Sequence, residues 1–89
     1  MDSKPRPIGK DLRRWRVARG LRQADVAREA GLHQSRISDL ERGRVLPTAA
    51  QLVRLGRFYG KDVGVLVLRL ASEQEARRHE EPRLEVVHG

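Results

Sequence analysis

Cysteine is missing from all 89 residues, which removes a disulfide framework, a thiolate zinc site and a thiol nucleophile together. Aromatic side chains are nearly as scarce, one each of Trp, Tyr and Phe, so any core must be built from aliphatic groups. No hydrophobic run is long: the longest nearly apolar stretch, Val63 to Leu68, is far too short to span a bilayer. The first residues, Met1-Asp2-Ser3-Lys4-Pro5-Arg6-Pro7, hold an acid and two prolines where a secretory signal needs an apolar centre. A chain of this length makes one domain with a modest core, which excludes a two-lobed enzyme with a cleft between lobes. The expected setting is cytoplasmic.

What the chain has is positive charge. Lys and Arg number 19 against 12 Asp and Glu, a net +7, and that balance favours a polyanionic partner, nucleic acid before an anionic membrane surface. The charge is unevenly spread. Residues 1–71 hold 16 basic and 7 acidic side chains, net +9, whereas residues 72–89 hold 3 and 5, net −2. Three segments are expected: a disordered basic arm over 1–7, a folded domain over 8–71, and an acidic tail over 72–89 that includes at most a short helix.

Within the domain the apolar residues keep a helical period. Ile8, Leu12 and Trp15 fall at i, i+4 and i+7 among charged residues, and Gly20 ends that helix. Val26, Ala27 and Ala30, followed by Gly31, predict a helix from Gln23 to Ala30. Ile37 and Leu40 alone supply the apolar stripe of a helix from Gln34 to Arg42, whose polar face is unusually wide for a core element. Thr48 and Gln51 have capping-box spacing before a helix with Leu52, Leu55 and Tyr59 inward and Gly60 as its stop. Residues 63–70 fit a helix capped by Asp62, yet three valines and a glycine also suit a strand. Ser72 has the form of a cap for one further helix to about Glu80, before Pro82 interrupts.

Two short helices joined by a tight glycine turn, the second with a narrow buried stripe, describe a helix-turn-helix. From Ile8 to Val67 the chain resembles the Cro/repressor-type (XRE-like) family of bacterial and phage regulators. The resemblance is carried by Leu21-Arg22-Gln23-Ala24-Asp25-Val26-Ala27, by Gly31 through Gly43, and by Pro47. It implies an all-α, compact five-helix domain, with 63–70 as a dimer-pairing strand in place of helix five in the alternative arrangement.

The resemblance also assigns roles. The outward residues of the second helix, Gln34, Ser35, Ser38 and Asp39, would reach base edges in the major groove. Gln34 suits adenine, and Asp39 suits the cytosine amino group, since a carboxylate among phosphates is repelled unless it accepts such a donor. Phosphate contacts would come from Arg22, Gln23, Arg36, Arg42 and Arg44. Each of these polar residues, taken singly, is also explained as a solvated surface group; their clustering around one helix argues for the interface. A partly buried salt bridge between Arg16 and Glu41 is implied as the brace that sets the angle of the recognition helix.

Two cap positions depart from the family, because Arg22 and His33 stand where Ser or Thr usually caps a helix. Exchange of a cap for a phosphate contact explains Arg22; His33 is equally well a surface histidine at a turn. His79 and His88 lie far from His33 in sequence, so no metal site is expected, and no residues suggest catalysis, a cofactor or a phosphate-cradling loop.

The function implied is a sequence-specific transcriptional regulator, a repressor acting as a homodimer on a palindromic site, with half-sites about 34 Å apart. Its dimer contacts would use Val65, Val67, Leu68 and Leu70, with Val63 and Leu66 closing the core. The alternative is an antitoxin that neutralises a toxin protein and represses its own operon. Expected partners are double-stranded DNA, a second copy, and a toxin or co-regulator, with no membrane; a bacterial or phage-encoded protein associated with the nucleoid is implied.

Overall fold

The computed structural model describes residues 6–80. The expectations for residues 1–5 of the arm and 81–89 of the tail lie outside the described residues. Five helices follow one another: α1 (Ile8–Ala18), α2 (Gln23–Ala30), α3 (Gln34–Arg42), α4 (Ala49–Tyr59) and α5 (Val63–Glu80), with no strand among the described residues.

The helix ends follow from local chemistry. Gly31 and Gly43 close α2 and α3 in the left-handed region, φ 71° and 77°, where a Cβ would crowd the following carbonyl. Thr48 Oγ1 accepts from the Gln51 amide at 3.1 Å while Gln51 Oε1 accepts from the Thr48 amide at 3.0 Å, completing the expected capping box. At the start of α5, Asp62 Oδ1 accepts from the Val65 amide at 3.1 Å.

One core serves all five helices. Ile8 and Leu12 of α1, Val26, Ala27 and Ala30 of α2, Ile37 and Leu40 of α3, Leu52, Leu55 and Tyr59 of α4, and Leu66 and Leu70 of α5 are all buried. Trp15 covers its edge, its ring centroid 5.7 Å from that of Tyr59. α1 lies on α3, α2 on α3 and α4, and α4 on α5. Gly9 marks the closest approach: a Cβ there would collide with the backbone carbonyl of Leu40, so α1 rests directly on the last turn of α3.

The structure bears out the five-helix expectation over its strand alternative and corrects three others. Residues 63–70 are helical, so the pairing strand is not formed. The valines are accommodated because α5 packs along α4, and tertiary packing outweighs their modest strand preference. No separate helix starts at Ser72; α5 continues unbroken to Glu80. Leu70, expected at a dimer face, is only 3% exposed and belongs to the monomer core, while Val63, expected in that core, is half-buried. Leu66 and Leu70, one turn apart, are the pair that faces inward.

Candidate nucleic-acid interface

α3 is short and seated by Ile37 and Leu40, which leaves most of its circumference outside the core. Gln34, Ser35 and Arg36 are exposed in its first turn, and Ser38 and Asp39 are half-buried. Asp39 stands 3.9 Å from Arg44, whose side chain is well exposed. That distance makes a loose ion pair, so the carboxylate remains available to another donor. Arg42 and Arg44 flank Gly43 and both are exposed, placing three arginines, with Arg36, along and just beyond α3.

Beneath this face lies a fixed polar brace. Arg16 donates to both oxygens of Glu41, from Nε at 2.7 Å and Nη2 at 3.0 Å, and from Nη1 to the Leu21 carbonyl at 2.8 Å. Glu41 is buried and its hydrogen bond holds Arg16 in its charged form, raising the guanidinium pKa. Gln23 Nε2 donates to the same carboxylate at 3.1 Å. One carboxylate thus joins α1, the first turn of α2 and the last turn of α3. Gln23, expected on a phosphate, spends its side-chain amide here; its position at the start of α2 leaves the helix N-terminus to face an anion.

Neither unusual cap residue caps. Arg22 has no acceptor atom, and it is Asp25 that accepts, from the Arg22 amide at 2.9 Å and from its guanidinium at 3.0 and 3.2 Å. Arg28 adds a contact to Asp25 at 3.1 Å. The Arg22 hydrogen bonds pull the Asp25 pKa down to about 2. His33 is exposed and its side chain makes no cap hydrogen bond.

The pair α2 and α3, joined through Gly31 and set on α1 and α4, has the arrangement of a helix-turn-helix. A family model described as a helix-turn-helix domain matches residues 7–70. The chain belongs to this family, of the XRE/Cro type. The matched range takes in the helix-turn-helix with all of α1 to α4 and the first half of α5. A comparison with curated proteins returns no match. Membership of the helix-turn-helix family makes this a DNA-binding domain, and no described helix is long and apolar enough to cross a membrane. Among the described residues no group of His, Cys, Asp and Glu could hold a metal ion.

Several interactions were not legible as sites in the sequence. Asp11 is buried and meets three arginines, Arg14 at 2.9 Å, Arg69 at 2.8 Å and Arg6 at 3.4 Å. Beyond the family match, Glu73 Oε1 accepts from the Ile8 amide at 2.9 Å and Arg77 donates to the Gly43 carbonyl at 2.6 Å. Only the i, i+3 relation of Arg14 to Asp11 is visible as spacing; Arg6 lies five positions before Asp11, outside α1, and the other contacts are long-range.

Proposed function

We propose that this helix-turn-helix protein is a sequence-specific transcriptional regulator, a repressor that binds a palindromic operator as a homodimer. The observation that carries this is the composition of the face α3 leaves open. Gln34, Ser35, Ser38 and Asp39 can exchange hydrogen bonds with base edges, while Arg36, Arg42 and Arg44 surround them with charge for phosphates. The Arg16–Glu41–Gln23 brace behind the face holds α3 at a fixed angle, which base readout requires.

A second copy would contact α5 through Val65 and Leu68, 52% and 72% exposed, with half-buried Val67 at their side. Leu70 takes no part, being inside the monomer. The antitoxin alternative drew on a pairing strand at 63–70, a segment that is helical, and on the acidic tail, of which residues 81–89 lie outside the described residues.

Selection of bound sequences from random duplex DNA tests the reading. A palindromic consensus is expected, with half-sites about 34 Å apart. Gln34→Ala and Asp39→Ala should each relax preference at single base positions, whereas Arg44→Ala should weaken all sequences alike. Failure to enrich any sequence, together with affinity that does not vary with salt, would reject the proposal.

A further inference from the structure

We propose that the outer side of α1 is a second phosphate-binding surface, taking the DNA backbone beside the stretch that α3 reads. The inference rests on the DNA-binding reading above and extends it to residues that no motif assigns.

Lys10, Arg13 and Arg14 occupy i, i+3 and i+4 of α1, so they share one face, and all three are exposed. That face forms one wall of a cleft whose other walls are Gln23 of α2 and Glu41 and Arg42 of α3. Lys10, Arg13, Arg14, Arg16 and Arg42 all line it, against the single carboxylate of Glu41. Glu41 is already held by Arg16, and Arg14 is held by Asp11. Lys10, Arg13 and Arg42 make no ion pair or side-chain hydrogen bond among the described residues.

Lys10 and Arg42 also border the neighbouring cleft, which Arg6, Arg69 and Arg77 line as well. They therefore form a positive ridge between two concavities. The direct rest of α1 on α3 at Gly9 keeps these like charges close, and their repulsion is relieved by a polyanion that spans them. The first cleft contains Arg42, already given to the phosphates, and Gln23 at the start of α2, where the helix N-terminus faces an anion. A backbone that meets those two residues lies within reach of Lys10 and Arg13.

The test is the salt dependence of binding by the full chain to its selected duplex. Lys10→Gln, Arg13→Gln and the double variant are compared with Arg57→Gln, an exposed α4 residue that lines neither cleft. Each lost phosphate contact should lower the slope of log affinity against log salt by about 0.9, and the double variant by about 1.8. Base preference should stay unchanged, and Lys10→Arg and Arg13→Lys should keep the original slope. A double variant with the wild-type slope overturns the inference, as does an equal loss in Arg57→Gln, which would make net charge the cause. If the wild type itself binds no duplex, the DNA-binding reading fails first, a result distinct from a slope that the variants leave unchanged.

Discussion

Three donors on two other helices converge on Glu41, and each depends on the carboxylate staying in place. Its side chain is 3% exposed, so the carboxylate has little water to fall back on, while Arg16, 13% exposed, reaches the edge of the cleft. Arg16→Met is expected to cost about 3–5 kcal/mol in urea unfolding, because it leaves a buried carboxylate with the Gln23 amide as its one remaining side-chain donor. The double variant Arg16→Met, Glu41→Leu should recover most of that loss, since both charges then leave together. A double variant no more stable than the single would show that packing around the pair outweighs its charge. Asp25 makes the complementary pH prediction. Its folded pKa is depressed to about 2 by Arg22, so its contribution to stability is complete above the usual carboxylate range and is lost as pH falls from about 4 through 2. Asp25→Asn should flatten the acid limb of thermal midpoint against pH within that window and leave its shape unchanged above it.

Among elements, α1 and α5 show what patterning along a chain carries and what it does not. The ends of α2 and α3 are legible because glycines follow the last apolar residue and because each apolar stripe is short and regular. The unbroken run of α5 is not legible: Ser72 could begin a helix, and what holds residues 72–80 on the body is a pair of contacts to Ile8 and Gly43, 65 and 34 positions away. The α1–α3 crossing is equally hidden, since Gly9 reads as an ordinary glycine until Leu40 is placed against it. Gly9→Ala should destabilise by about 3 kcal/mol, because the obstacle is backbone and has nowhere to move. Gly56→Ala meets only the tips of Leu66 and Val63, which can turn aside, and should change stability by less than about 1 kcal/mol. Equal losses in chemical denaturation would contradict this account of the crossing.

At the scale of the whole molecule, the proposed DNA face and the apolar face of α5 lie on different elements. Lys10, Arg13, Arg36 and Arg42, which make no ion pair among the described residues, lie on α1 and α3, while Val65 and Leu68 stand out from α5; the other exposed large apolar side chain, Val17, sits on α1 in the basic cleft. A regulator that binds two half-sites needs both surfaces at once, one for each partner. Leu68→Glu should therefore lower the sedimentation mass to that of a monomer at micromolar concentration without reducing thermal stability, since the residue is 72% exposed. Its DNA affinity on a palindrome should fall while its affinity for an isolated half-site is kept. A variant that still sediments as a dimer would move the contact elsewhere.

The long α5 joins these functions mechanically. Its first half presents Val65 and Leu68, and its second half holds the start of α1 through Glu73 and the end of α3 through Arg77. A helix advances about 100° for every residue, so one residue inserted after Leu70 would swing Glu73 and Arg77 away from Ile8 and Gly43 while leaving the apolar face untouched. The rod would then keep its seat on α4 and lose its ties to the start of α1 and the end of α3. In the proposed dimer, α3 would be less firmly tied to the rod that carries the apolar face, with no change in any residue proposed to meet a base.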